Sequence, residues 1–312
     1  VKLPRVLRVA TRGSPLALIQ AARVVELISG IHGSPRCETV VVHTSGDKAP
    51  DAPIERLGGR GVFVKEVSAA VAEGRADIAV HSAKDMPSGE EPGLELAAVP
   101  ERIDPRDALV GKSLEDLLPG ACVATGSVRR RAQLAWLRPD LSFAQLRGNM
   151  ARRVEVAETV GAGVLAVAAL ERLGLRGRVA EVLDPATLLP QVGQGALAVE
   201  CRSSDTALIE MLGEIDDGIA HAALRAERSF LAALGGGCSL PCGALATPWS
   251  SGTRPGGKVE KIEIQGMLAS RDGHILLRHS CEGEDPDDVG ARLAEEMLAR
   301  AGGRFIADWS TD

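Results

Sequence analysis

The chain has 312 residues, a formal charge of −6, 45% hydrophobic residues and only 2% aromatic residues, with no Tyr. That length suits two or three domains, and their cores must be built from Ala, Val, Leu and Ile. A net acidic chain this poor in aromatics argues against nucleic-acid or anionic-membrane partners, which call for a basic face and stacking platforms.

In chain order, residues 6–10 read as a strand. Thr11-Arg12-Gly13-Ser14-Pro15 turns it into a helix over 16–28, with Ser14 suited to the N-cap and Pro15 to the first helical position. A helix N-terminus beside Arg12 is an anion site in kind, although an ordinary cap with a solvent-facing Arg is the commoner case. Residues 39–44 give a second strand. The stretch 45–61 is loop-like, rich in Gly and Pro with mixed charges, as in a lid or a disordered segment. An amphipathic helix over 62–72 leads to a third strand, 76–80, and 94–99 adds a fourth.

The third strand has an unusual end. His81, Ser82, Lys84 and Asp85 follow it without a spacer, and Pro87 stops any regular element. Ligands of open α/β sheets sit beyond the carboxyl ends of the strands, so this stretch would present an imidazole, a hydroxyl, an ammonium and an acid to a cleft. The plainer account is a solvated junction with a surface Lys–Asp pair.

Residues 100–107 are polar and read as a linker. A second unit then echoes the first. Val123-Ala124-Thr125 leading to Ser127 and a helix repeats Val9-Ala10-Thr11 leading to Ser14 and a helix. Strands over 142–146 and 164–168 flank a helix over 151–159. Strands alternating with helices imply parallel sheets, and two such units enclose a cleft suited to a small molecule. A strand over 197–201 and helices over 208–212 and 220–234 follow; strands near 259–268 and 275–281 and a closing helix over 287–301 form a small α+β unit.

Residues 129–153 hold seven arginines in an acidic chain. Arg129 and Arg130 fall in the first turn of a helix, where cations oppose the macrodipole. Arg147 sits at a strand's carboxyl end. Arginines placed against local stability in this way point to binding of a polyanionic small molecule through bidentate bonds. Arg131, Arg138 and Arg152 suit a solvated basic face.

The six cysteines are scattered. Val1-Lys2-Leu3-Pro4-Arg5 carries no signal-peptide pattern, so reduced thiols in a cytoplasmic protein are expected. Cys238 and Cys242 lack a second pair or a nearby His, a poor zinc signal; no metal is expected. Gly235-Gly236-Gly237 strips the backbone of side chains just before Cys238. The longest apolar run, 162–170, is too short to cross a bilayer.

These stretches together resemble the porphobilinogen deaminase family, also called hydroxymethylbilane synthase. The carriers are Ala10-Thr11-Arg12-x-Ser14-Pro15-Leu16-Ala17-Leu18, Gly58-Gly59-Arg60-Gly61-Val62-Phe63-Val64-Lys65-Glu66 and Ala76-Asp77-Ile78-Ala79-Val80-His81-Ser82-x-Lys84-Asp85-x-Pro87. Arg147-Gly148-Asn149, Val192-Gly193-Gln194-Gly195-Ala196, and Glu227-Arg228 with Gly236-Gly237-Cys238 follow in the family's order. Position 60, often Lys in the family, is Arg60; Gly126 stands where a second Ser is common; Cys242 is a second thiol close to the first.

The resemblance implies an α/β fold: two periplasmic-binding-protein-like domains flanking a cleft (1–99 with 196–214, and 100–195) and a small α+β domain, 215–312. It implies a transferase of tetrapyrrole biosynthesis that joins four porphobilinogen molecules with loss of ammonia. A dipyrromethane primer would be held by a thioether to Cys238. Asp85 would be catalytic. Ser82, Lys84, Thr125, Ser127, Arg129, Arg130, Arg147 and Gln194 would hold the cofactor, and Arg12, Ser14, Gln20, Phe63, Arg153 and Arg172 the substrate. The protein would be a cytoplasmic monomer without nucleic-acid or membrane partners, handing its product to the next tetrapyrrole enzyme. The alternative is a non-catalytic two-domain cleft protein that binds carboxylated small molecules.

Overall fold

A computed structural model describes residues 3–44, 61, 64–89, 91–235, 241–249, 259–299 and 303. Among these residues three sheets form. The first is built on β1 (Val6–Arg12), with β2 (Arg36–Val42) and β3 (Ile78–Ser82) parallel to it on either side. β10 (Leu197–Arg202) runs antiparallel between β3 and β4 (Leu94–Ala98), pairing Val199 with both Val80 and Ala98. The strand order is β2-β1-β3-β10-β4.

The second sheet repeats this plan. β6 (Cys122–Ala124) lies between β7 (Ser142–Ala144) and β8 (Ala162–Ala166), all parallel. β5 (Asp107–Gly111) runs antiparallel between β8 and β9 (Val179–Val182). The order is β7-β6-β8-β5-β9. The echo read in the sequence is therefore an echo of topology. In each sheet the reversed strand comes from the chain crossing between units, along 99–106 and along 183–196.

Helices cover the faces. α1 (Pro15–Ser29) is capped by Ser14, whose Oγ accepts from the Ala17 N–H at 3.3 Å, with Pro15 opening it. It buries Ala21, Val24 and Ile28 against Leu7, Val9 and Ile78. α2 (Lys65–Ala72) packs Val67, Ala70 and Val71 on the other face, against Ala10, Val42 and Ala79. In the second unit α3 (Val128–Leu137) and α4 (Met150–Val160) start at Ser127 and Asn149, whose side chains accept from the Arg130 and Arg152 N–H groups. As the composition requires, these cores are aliphatic; Phe230 is the one aromatic among the largest fully buried side chains.

Several boundaries differ from the sequence expectation. The strand expected over 164–168 ends at Ala166, and a short helix, α5 (Val167–Arg172), follows. Residues 162–170 are all buried, so no periodicity marks where strand becomes helix. The strand expected over 142–146 stops at Ala144. The polar linker ends sooner than read, because Asp107 already pairs within β5. Of the loop 45–61 only Gly61 lies inside the described residues.

The small unit holds α7 (Gly218–Ala233), β11 (Cys242–Trp249), β12 (Lys261–Ala269), β13 (Leu276–Gly283) and α8 (Pro286–Ala299), which follow α6 (Thr206–Leu212). The three strands form an antiparallel sheet in sequence order. Glu227 on α7, fully buried, ties this unit to both crossings. Its carboxylate pairs with Arg102 at 2.6 and 3.2 Å and accepts from the Gly193 N–H at 2.7 Å and the Ala246 N–H at 3.0 Å. Glu227→Ala leaves a buried cation and two N–H groups without their acceptor. It should cost about 3–5 kcal/mol, read as a lower urea midpoint. Adding Arg102→Met should not restore the loss, because both backbone donors stay unsatisfied.

Candidate active site at the junction of the two sheets

β3 ends at Ser82, and one tight turn of 3-10 helix, Ala83–Asp85, carries Lys84 and Asp85 off the sheet edge. The loop 191–195 clasps this turn. Gln191 donates to the Lys84 carbonyl at 3.1 Å, and Lys84 Nζ donates to Gln194 Oε1 at 3.3 Å. Gly193, at φ 71°, lies so close that a Cβ there would come within 2.9 Å of the Ala83 carbonyl carbon.

His81 does not join its neighbours. Successive strand side chains point to opposite faces, so the ring turns into the first unit while Ser82 does not. It is 5% exposed, with Nε2 2.8 Å from Glu200 Oε2; Ser68 donates to the same oxygen at 2.6 Å. The expectation of an imidazole in the cleft is corrected accordingly.

From the second unit, Arg129 and Arg130 converge on fully buried Asp107. Arg129 reaches Oδ2 at 2.7 Å, and Arg130 reaches Oδ1 through Nε at 3.2 Å and a terminal nitrogen at 2.7 Å. Their remaining bonds go to the Leu189 and Val164 carbonyls. Gln194, also fully buried, adds a bond to Asp107 at 2.8 Å and one to the Pro105 carbonyl. Burial works to raise the Asp107 carboxyl, but the two guanidinium groups outweigh it and hold the acid well below the usual range. Arg129 Nε is buried without a hydrogen-bond partner among the described residues.

The two units meet electrostatically at this point. Lys84 is pulled down to about 8, by burial first and then by Arg130, with Asp85 and Asp107 pulling the other way. Arg153 is lowered by burial and by Arg130 and Arg147, and raised by Asp85. Asp85 thus acts on a cation of the second unit, Arg153. Arg153 also donates to the Gly148 carbonyl at 2.8 Å. Arg172, at the end of α5, donates to the Gly195 carbonyl at 2.9 Å, and burial lowers it to about 10.

The other expected residues occupy the carboxyl edges of the same sheets. Arg12 ends β1, Ser14 caps α1, and Gln20 is buried on α1, which packs against α5. Thr125 is 4% exposed and accepts from the Ser127 N–H at 3.2 Å. Phe63 and Cys238 lie outside the described residues. Cys242, the second thiol, is buried in the small unit's core beside Phe230 and Ala244. A separate open depression bordered by Gly111, Glu158 and Arg178 lies elsewhere, and its acid and guanidinium are paired with each other.

Sequence reasoning passed over Asp107, Arg102, Gln191 and Glu200. Asp107 left one signal: a lone acid opening the apolar run Ala108-Leu109-Val110, in a chain with unexplained arginines at a helix start.

The residues fit a small polyanion. Arg130 acts on both Lys84 and Arg153, Arg147 acts on Arg153, and Asp85 acts on Lys84 and Arg153. Cations gathered in a buried site suit bound carboxylates.

Residues 7–210 match the family described as "Porphobilinogen deaminase, dipyromethane cofactor binding domain", and residues 221–299 match "Porphobilinogen deaminase, C-terminal domain". The porphobilinogen deaminase of Roseiflexus sp. strain RS-1 is 41% identical over 311 residues, covering 98% of this chain and 100% of that one. Those of Brevibacillus brevis (40% over 306 residues, 96% of each chain) and Bacillus subtilis strain 168 (39% over 310 residues, 97% and 96%) are similar to the same extent. With both family domains matched in order and likeness running almost end to end, the chain belongs to the porphobilinogen deaminase family.

Proposed function

We propose that the chain joins four porphobilinogen molecules head to tail, with one ammonia lost at each addition, and releases the linear tetrapyrrole hydroxymethylbilane. The observation that carries this is the gathering of Lys84, Arg130, Arg147 and Arg153 with Asp85 where the two sheets meet. Cleft binding of carboxylates alone would explain the cations; family membership over nearly the whole chain favours the enzyme.

A dipyrromethane held through sulfur would supply the pyrrole carbon on which the chain is extended. Cys238 is proposed as its attachment point. Support comes from the residues beyond it. Pro241 accepts from Ala269 N–H at the start of the small sheet, and Cys242 lies within electrostatic reach of Arg129. Cys242 itself is taken up by the core. Lys84, Arg147 and Arg153 are proposed to grip the acetate and propionate arms of the rings. Arg129 and Arg130, engaged by Asp107, set the field behind them. Loss of ammonia leaves positive charge spread over the substrate's pyrrole. The Asp85 carboxylate is proposed to stabilise that charge, accept from pyrrole N–H groups and assist the proton transfers.

The domain limits 1–99 with 196–214, 100–195 and 215–312 are part of the proposal, and the pairing of β10 with β3 and β4 favours the return at 196. No helix among the described residues is long and apolar enough to cross a membrane. A cytoplasmic monomer that passes its product to the next tetrapyrrole enzyme completes the reading.

Three measurements test it. The denatured protein should carry the added mass of two deaminated substrate units, and Cys238→Ser should lack it; an unmodified mass after incubation with porphobilinogen would overturn the assignment. Asp85→Asn should keep that added mass and lose turnover by about 10² or more, so near-normal turnover would remove Asp85 from its role.

The third concerns pH. Lys84 is lowered from 10.5 to about 8, so its grip on carboxylates should weaken as pH rises through about 8, seen as a rising KM. Lys84→Arg should flatten that rise. Folding stability should move the opposite way. The unfolded chain keeps this proton up to 10.5 and the folded one does not, so the burden of the buried ammonium lifts between about 8 and 10.5. Denaturation midpoints compared with Lys84→Met would read it.

A further inference from the structure

The small unit carries a cluster that the reaction above does not use. Strand β13 alternates its side chains, so His279 and Cys281, two positions apart, share one face. Helix α8 packs across β12 and β13 and brings Glu296 onto that face. His279 Nε2 lies 2.8 Å from Glu296 Oε2, and Cys281 Sγ lies 3.6 Å from the same oxygen. One donor atom from each residue falls within 4.8 Å of the other two.

We propose that His279, Cys281 and Glu296 form a binding site for one zinc ion. Zinc takes nitrogen at about 2.0–2.1 Å, sulfur at about 2.3 Å and carboxylate oxygen at about 2.0–2.2 Å, tetrahedrally, which sets neighbouring ligand atoms about 3.3–3.7 Å apart. The Cys281–Glu296 separation already has that value. The imidazole and carboxylate must open by about half an ångström, a side-chain rotation at an exposed position. The donor set decides the metal: a thiolate with an imidazole excludes magnesium and calcium, which take oxygen, and suits zinc.

The surroundings permit it. The His279 side chain is 43% exposed and Glu296 21%, which leaves an entry path and a fourth position for water. Arg292, the nearby cation, is itself engaged by Asp288 at 2.9 Å and the Glu282 carbonyl at 2.6 Å. Bound metal would fasten β13, the last strand of its sheet, to α8. The competing account is a plain His–Glu ion pair beside an inert thiol.

Cobalt(II) titrated into the intact purified protein separates the two accounts, and the readout does not depend on deaminase activity. One equivalent should produce a thiolate-to-cobalt charge-transfer band in the near ultraviolet, and zinc should displace it. Cys281→Ser should abolish the band. His279→Ala and Glu296→Gln should weaken cobalt binding at least tenfold, the minimum that even an outer-shell loss costs (about 10–100-fold). Zinc should also raise the melting temperature of the wild type and not that of His279→Ala. This exposed substitution keeps the test decisive if Cys281→Ser does not fold. No band, a band unchanged in Cys281→Ser, or full affinity in His279→Ala would overturn the site.

Discussion

Two arginines share one fully buried carboxylate, and the junction depends on that unequal arrangement. Asp107 meets Arg129, Arg130 and Gln194 at hydrogen-bond distance with no water-facing surface. A buried charge is tolerated only when paired and hydrogen-bonded. Here the donors beyond what one acid can absorb turn to backbone carbonyls. The result is a buried block in which two guanidinium groups share one carboxylate. Lys84 on the neighbouring unit loses its proton more readily through burial first and then through Arg130, with Asp85 and Asp107 opposing. Carboxylates arriving from outside would meet cations already gathered there.

The loop 191–195 turns this electrostatic block into a mechanical one. It touches the turn bearing Asp85 through Gln191 and Gly193, the second unit through Gln194, and α7 through Glu227. Gly195 lets the crossings pass in contact: at φ 91°, a Cβ there would sit 2.4 Å from the Ile103 carbonyl oxygen. A residue that moves relative to Asp85 must therefore move against the same five-residue segment, whichever unit it belongs to.

Much of this was legible before any coordinates. The Thr-x-x-Ser-Pro turn, the abrupt polar end of β3 and the doubled strand-turn-helix pattern carried local physics strong enough to read from residue types. The arginines were noticed for the right reason, their opposition to a helix dipole, but their inward partner was not. Asp107 lies outside that window and meets them only through tertiary pairing. The direction of His81 was misjudged because the strand was treated as ending in a shared bouquet of polar groups, when the two-residue period was still running. The all-buried stretch 162–170 hid its strand-to-helix change, since uniform burial erases both periods. Glu227 stands in the sequence only as half of the Glu227-Arg228 motif, and the segments that close over it, bearing Arg102, Gly193 and Ala246, meet it only in the folded chain.

The exchange of reversed strands has a consequence for biosynthesis on the ribosome. β3 and β4 share no ladder among the described residues; β10 stands between them. The first sheet therefore lacks its reversed strand until Arg202 has emerged, long after β4 has ended at Ala98. The second unit, whose reversed strand precedes the rest of it, has no such wait and can close as it appears. In chain order the strands of the second sheet, ending at Val182, are therefore all present before β10 can separate β3 from β4.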